Sequence, residues 1–600
     1  MSSPSDPPPT ATPSRRRLVE AFVLLVWVVL VVHAAYYVTV YGSPVASRDD
    51  MEILPAFEPS ATPRSILDHF WQPLNEHRIV LSQFLHYAAA GGLRDFRGGG
   101  WMQVALLAIT ALVCIAAVRR LRGRTCLEDA LFPLLLLHWS NGENLLLGTQ
   151  VCVALALLLA TVATCALVWA PGPPTRGRVG VVAACVVLLP WCGGFGLAQA
   201  PAFAAWMLVA GVAAWRARRS MDAAVALGGC LAFAGCVALY FTDFAWPPSP
   251  PVDRRLDIGL GIVVQVLSMT FGGLAPYEPW VSVPAALALL AVALGCAFAG
   301  LRRSPDQRWR ALGLATAVVA VLLLAASIAW SRQSSWPYSG WAARYSLAPG
   351  VLAVAAVFGA LLFGGRIVAR AVPVGLALLL AAAMPLHVER GTWMAAQLEL
   401  MMRPFLTAVE ADQTVDELAR TYTGLLYPDE VGLRYRLGVM RAARLPPFDH
   451  VPTPTPVDEA RLDVRPTVLA TASPPMERRV GGLTLTSVLA PGRLSVELPD
   501  GARTVFGRFA ALPIDFAPET PAELRTLGFR VRAVHERDGH APRELLRRTL
   551  QPNAVGSDRG LQEFTFDLEP GGGRVVFEVE SLDPGAGRKD WLGLSALGVR

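Results

Sequence analysis

Of the chain's 600 residues, 53% are hydrophobic and 17% charged, and the formal net charge is +6. This is not the composition of a soluble globular protein. The positive charge stands in arginine clusters at the ends of apolar runs, so it reports membrane topology and gives no sign of a nucleic-acid partner; the nine cysteines, all between Cys114 and Cys296, form neither a disulfide framework nor a CxxC metal pattern.

The chain opens with Pro7, Pro8 and Pro9 and then Arg15, Arg16 and Arg17, which read as a disordered cytoplasmic tail over 1–17. The apolar run behind it is too long for a cleaved signal peptide and reads as an uncleaved first span. Arginine clusters at 15–17, 119–124, 176–178, 216–219, 302–310 and 366–370 belong on the cytoplasmic side, which forces an even number of crossings between neighbours. Two crossings fit each interval: 18–41 with 101–118, 127–140 with 145–170, 179–192 with 198–215, 221–242 with 280–301, and 309–330 with 345–365. An eleventh, 371–388, carries the chain outward. The stretch 258–276 is apolar enough to span, but a crossing there would invert the 302–310 cluster. Its Gly259, Gly261, Gly272, Gly273, Gln265 and Ser268 suit a re-entrant or interfacial helix on the outer face. The predicted body is therefore a polytopic α-helical membrane domain over 18–390, with about 11 transmembrane helices and a large first outer loop at 42–100.

Beyond it, charged amphipathic helices fill 399–444 and a proline-rich linker 446–456, which makes 391–456 a connecting segment. From 457 to 600, short alternating or β-branched runs at 483–488, 493–498, 527–534, 563–568 and 574–579 are separated by Gly, Pro and Asp. They predict an all-β domain, a β-sandwich of jelly-roll type. The arginine parity puts the N-terminus in the cytoplasm and this domain outside it, in a protein of the inner (plasma) membrane.

The outward loops hold most of the polar and aromatic residues, so function is expected on that face. Asp49 and Asp50 follow directly on the first span, flanked by Ser47, Arg48 and Glu52. Adjacent carboxylates repel, and one of them is then suited to accept a proton near neutrality; the plainer reading is a hydrated loop start. Asn75, Glu76, His77 and Arg78 read either as the polar lining of a substrate cavity or as an interfacial helix facing headgroups. His69, His77 and His86 lack metal-ligand spacing with the acids, so neither a metal nor another cofactor is indicated. Glu143 stands in the outward turn 138–150 with His138, Ser140, Asn141, Gly148 and Thr149. At that depth it faces a cavity or, with Asn141, caps free backbone amides. Arg344, with Tyr345 beside it and Trp336, Tyr338 and Trp341 before it, begins a span on the outer side, where positive charge is disfavoured. Its guanidinium suits a bidentate clamp on a lipid phosphate, the alternative being a side chain that snorkels to headgroups.

A first span, the acid pair Asp49 and Asp50 in a long first outer loop with interfacial helices, about eleven spans and an outward C-terminal domain together resemble the GT-C fold glycosyltransferases, over roughly 18–390. The resemblance implies transfer of a sugar from a polyprenyl-phosphate-linked donor to an extracytoplasmic glycan, lipid or protein acceptor, with Asp49 or Asp50 as base and Arg344 as phosphate contact. Asp-Asp stands where the protein mannosyltransferase branch has Asp-Glu, which leaves branch and acceptor open. The C-terminal residues Arg547, Thr549, Leu550, Pro552, Asp558, Arg559, Gly560, Asp590, Trp591 and Gly593 look like those of β-sandwich modules associated with carbohydrate. Two other classes compete. One is a non-catalytic membrane scaffold presenting its β-domain. The other is a transporter or flippase of lipid-linked glycans, for which internal repeats and mid-membrane charges are expected and not clearly present.

Overall fold

The computed structural model describes residues 13–74, 77–244, 255–333, 338–410, 413, 415–448, 464–471, 475–480, 483–511, 528–550, 561–569, 571–582 and 591–599. The tail expected over 1–17 falls largely outside them, as do Asn75, Glu76, Trp336 and most of the proline-rich linker. The chain divides into two units, Met1–Pro404 and Phe405–Arg600.

The first unit is helical. Nine of its described helices are long and apolar enough to cross a bilayer: Arg16–Tyr41, Arg97–Arg122, Gly148–Val168, Gly194–Arg216, Ser220–Tyr240, Pro279–Leu301, Pro305–Arg332, Ala343–Phe363 and Arg366–Glu410. At 1.5 Å per residue the shortest of these, 21 residues, covers about 31 Å, the thickness of a hydrocarbon core. The protein is a multi-pass membrane protein on this measure. Ala343–Phe363 is central, with 89% of its apolar window buried, whereas the windows of Arg16–Tyr41 and Ser220–Tyr240 are only 17% buried. Apolar side chains on those two, such as Leu25 and Leu231, have no protein to cover them, which suits contact with lipid tails.

Nine of the eleven predicted spans reach that length; the other two, 127–140 and 179–192, are broken into shorter pieces. Over 127–140 the chain forms a turn at Leu127–Ala130, a six-residue helix at Leu131–Leu136 with Pro133 inside it, and a second turn at Trp139–Asn141. Over 179–192 the helix Arg176–Leu188 has 13 residues and gives way to a 3-10 turn holding Pro190. Proline has no N–H to continue the helical ladder. The stretch predicted to be re-entrant is a 13-residue helix, Leu256–Ser268, that breaks at Met269–Phe271 and turns through Gly272 at φ +55°. Thirteen residues cover about 20 Å, short of a crossing. At the other end, the predicted span 371–388 and the charged segment after it are one 45-residue helix, Arg366–Glu410. The change of composition near 390 therefore does not end the helix, and the unit boundary falls at Pro404.

Arginines read from sequence as topology markers also close helix ends. Arg178 donates from Nε to the Ala166 carbonyl (3.1 Å) and from Nη2 to that of Leu167 (2.8 Å), Arg310 donates to Trp169 (3.2 Å), and Arg303 donates to Leu362 (3.2 Å) and Phe363 (3.0 Å). The last carbonyls of a helix have no partner of their own and carry the negative end of its dipole, so a guanidinium there satisfies both.

The second unit ends in a sandwich of two antiparallel sheets. Its strands are β1 (Thr467–Ala470), β2 (Met476–Val480), β3 (Leu483–Leu489), β4 (Gly492–Leu498), β5 (Thr504–Ala511), β6 (Phe529–Glu536), β7 (Arg543–Leu550), β8 (Gln562–Asp567), β9 (Gly573–Ser581), β10 (Trp591–Leu594) and β11 (Gly598–Val599). One sheet runs β1-β4-β9-β6-β7; the other runs β11-β5-β10-β3-β2, with β8 also paired to β5. The five runs predicted from alternation are β3, β4, β6, β8 and β9. Their inward residues, including Val488, Leu494, Val496, Val531, Phe564, Phe577 and Val579, meet Val505, Phe509, Leu592 and Leu594 in one core. Edge strand β7 was missed because it reads Arg-Glu-Leu-Leu-Arg-Arg-Thr-Leu. Its charges serve the exposed face, where Glu544 accepts from Arg532 (2.8 Å) and Arg547 (2.8 Å), and charged edges resist pairing with other chains. Because this core is built from the strands alone, a fragment of residues 457–600 is expected to fold by itself. Thermal unfolding followed by circular dichroism checks this: one cooperative transition is expected, and a broad drift without a transition contradicts it.

Candidate active site

The acid pair is set by the backbone just after the first span. Arg48 adopts φ +53°, a left-handed conformation that costs a non-glycine residue about 1 kcal/mol, and the 3-10 helix Arg48–Phe57 starts there. Successive residues of a 3-10 helix point about 120° apart, so the two neighbouring carboxylates are sent in different directions. Asp49 stays open to solvent and Asp50 is buried.

Asp50 is fully engaged. Its Oδ2 accepts from the Gly148 amide (3.0 Å) and its Oδ1 from the Thr149 amide (2.7 Å). Those two N–H groups open the helix Gly148–Val168, where free amides and the positive end of the helix dipole favour an anion. Asp50 is thus a helix cap supplied from 98 residues away. Glu143 does the same on a second segment, its Oε2 accepting from the Arg344 amide (3.0 Å). Of the two readings for Glu143, the cap describes this contact, although the amide it satisfies belongs to a distant turn. Asn144 reinforces the junction by donating to Ser346 Oγ (3.1 Å).

Asp49 has no such partner. The protein around it partly desolvates its carboxyl and raises its pKa above the ordinary aspartate range; the charges of Asp50 and Glu52 push in the same direction, while Arg344 and Arg48 oppose them. Arg344 is close enough to act on Asp49 electrostatically, and also on Glu143. Its guanidinium carbon stands 5.5 Å from the centre of the Tyr345 ring, and the Tyr345 hydroxyl accepts from Arg332 Nε (3.1 Å). The Nε of Arg344 is buried and has no protein acceptor. Asp49, Asp50, Glu143, Arg344 and Tyr345, drawn from three stretches of sequence, therefore gather at one place.

The remaining predicted residues are used elsewhere. Arg78 is buried; its Nη1 donates to the Leu239 carbonyl (3.0 Å), its Nη2 to that of Thr242, and its guanidinium lies 4.8 Å from the centre of the Trp71 ring. It closes the C-terminal end of Ser220–Tyr240. The His77 ring lies against Gly194, where an added Cβ would stand 2.7 Å from Cε1. Asn75 lies outside the described residues. Replacing Arg78 by Met keeps the volume and leaves two carbonyls without a donor. We expect a loss of about 3 kcal/mol of stability with donor affinity unchanged, read from thermal unfolding in detergent beside donor titration.

Sequence reasoning also passed over His86 except as a metal ligand. It is fully buried in the helix Val80–Leu93 and rests on Gly148: a Cβ built there would come 2.2 Å from its Nε2. Contact between residues so far apart in the chain leaves no periodic signal. Among the described residues, no group of three or more His, Cys, Asp or Glu side chains has the arrangement to hold a metal ion.

No protein-family description matches the chain, and no curated protein matches it. Among solved structures, the cryo-EM structure of arabinosyltransferase EmbB from Mycobacterium smegmatis aligns at 13% identity and a TM-score of 0.31, over 99% of this chain and 66% of that one. The chain thus spans about two thirds of that structure's length. A superposition this loose carries no argument about fold or chemistry.

Proposed function

We propose that this protein is a membrane glycosyltransferase that moves a sugar from a polyprenyl-phosphate-linked donor to an acceptor hydroxyl outside the cytoplasm, with Asp49 as general base. The observation that carries the reading is the division of labour within the acid pair. Asp50 spends both oxygens on backbone amides, while Asp49 is exposed, holds its proton more tightly than an ordinary aspartate and faces the charge of Arg344. A hydroxyl attacks an anomeric carbon poorly until its proton is removed, and a carboxylate with raised proton affinity is a better acceptor for that proton. The carbon–oxygen bond to the acceptor forms as the bond to the phosphate oxygen breaks, and the phosphate leaves as an anion. A guanidinium beside the base is suited to that leaving charge.

In this reading the arginine-rich helix ends face the cytoplasm, and the acid pair and the β-sandwich lie on the other side. Arg344 contacts the donor phosphate, with Tyr345 holding the guanidinium in place. The test is reconstitution of the full chain in liposomes with radiolabelled polyprenyl-phosphate sugars, followed by extraction of product. Transfer from at least one donor is expected; no transfer from any donor supports the scaffold instead.

A further inference from the structure

The 45-residue helix Arg366–Glu410 carries a second group of arginine and aromatic side chains, which the candidate active site does not use. Among the described residues the guanidinium of Arg390 makes one hydrogen bond, from Nη1 to the Tyr277 hydroxyl (2.6 Å), and no carboxylate pairs with it. Its carbon stands 4.0 Å from the centre of the Trp393 ring and 5.3 Å from that of Tyr277. Trp393 is three residues further along the same helix and so on the same face. The stem of Arg390 passes over Gly273, where an added Cβ would come 3.3 Å from its Cγ. The Gly273 amide donates to Ser140 Oγ (2.9 Å), which also lies 3.0 Å from Nδ1 of His387, one turn before Arg390. Three segments therefore fix the side chain.

Helix lengths give its depth. Arg366 and Arg370 open the helix, and at 1.5 Å per residue Arg390 stands about 36 Å from Arg366. A hydrocarbon core is about 30 Å thick. The helix Pro279–Leu301 begins just after Tyr277 and runs to Arg302 and Arg303; its 23 residues cover about 35 Å. Both lengths put Arg390 and Tyr277 at headgroup level, on the face opposite those arginines. Tyr277 and Trp393 are each 50% exposed and Trp280 74%, as aromatic rings at a membrane boundary are. Lipid phosphates lie at that level.

We propose that Arg390, with Tyr277 and Trp393, binds the phosphate of a membrane lipid at this boundary. A guanidinium has five N–H donors, and a plane held against two rings presents those that remain as a fork to two phosphate oxygens. Because Tyr277 accepts from Arg390, its own O–H is available to a further phosphate oxygen. Neither neighbouring carboxylate fills the place: Glu278 accepts from Trp280, and Glu389 points about 100° around the helix from Arg390. An anionic phospholipid and a polyprenyl phosphate both offer this chemistry, and neither requires that the chain transfer a sugar.

Native mass spectrometry of the full chain, released from detergent, counts the lipids that stay bound. Arg344→Gln serves as the background, so that the candidate active site does not contribute, and dioleoyl phosphatidylglycerol and undecaprenyl phosphate are titrated separately. For at least one of them, adding Arg390→Gln is expected to raise the dissociation constant of the tightest-held lipid about tenfold, the worth of a hydrogen bond to a charged group. Arg390→Lys keeps the charge without the fork and should weaken binding about fivefold. Trp393→Leu leaves every donor in place, removes only the ring against the guanidinium and should weaken binding about threefold. Dioleoylglycerol, with the same chains and no phosphate, should not distinguish the variants. The lipid whose affinity falls identifies the source of the phosphate. Unchanged affinity for both lipids in Arg390→Lys, as for a charge that merely snorkels, or an equal loss for dioleoylglycerol, overturns the proposal. Absence of sugar transfer by the parent with these losses still seen would sink the glycosyltransferase reading and leave this site standing.

Discussion

Asp49→Asn is expected to lower sugar transfer by about a hundredfold to ten-thousandfold, the usual contribution of a positioned general base, while leaving membrane insertion and thermal stability close to those of the parent. Asparagine has the same shape but takes up no proton at neutral pH. The stability expectation follows from the geometry: solvent reaches Asp49, and its neighbour Asp50 makes the backbone contacts. In the parent, transfer should fall as pH drops through the pKa of Asp49. Partial desolvation by the surrounding protein first, and then the charge of Asp50, set that pKa above the ordinary aspartate range, so the acidic limb should lie above about pH 3.9. Asp50→Asn should behave differently, since an amide offers one acceptor oxygen to two N–H donors and brings its own NH2 against one of them; a drop in melting temperature is expected with it. Parental turnover from Asp49→Asn would place the base elsewhere.

Arg344→Lys is expected to weaken donor binding about tenfold or more, although the charge is kept. A lysine ammonium lacks the planar fork that meets two phosphate oxygens at once, and a tenfold loss corresponds to about 1.4 kcal/mol, at the lower edge of a hydrogen bond to a charged group. The competing account is a side chain that snorkels to headgroups, and Lys snorkels as well as Arg. Burial of Arg344 Nε argues against a head that lies free in water. Titration of donor into nanodisc-held parent and variant separates the accounts, and equal affinities would remove the clamp. The main-chain contact of Arg344 with Glu143 does not depend on the side chain, so the turn itself should survive the substitution.

Uncharged runs of twenty residues state that helices cross a bilayer, because no other arrangement satisfies their backbone in lipid, and alternation at 483–488 or 574–579 states that strands face a core. Those features are local, and periodicity carries them: the membrane body, the β-sandwich and the acid pair after the first span were all legible in the residues. Where a local rule met a competing one, the reading failed. Over 127–140 and 179–192, which hydropathy read as continuous spans, the helices are short and end in 3-10 turns, the second of them at Pro190, and the 45-residue helix through residue 390 continues past a change of composition. The distinction between Asp49 and Asp50 lies wholly beyond the sequence. Two adjacent, chemically identical side chains became different because the 3-10 turn points them apart and the amides of Gly148 and Thr149, brought near by tertiary packing, engage one and leave the other. The same holds for Arg78, read from sequence as cavity lining or as a headgroup-facing residue: its guanidinium found the carbonyls of Leu239 and Thr242. Which donors and acceptors a side chain meets is decided by segments distant in the chain, and no spacing within a segment can encode it.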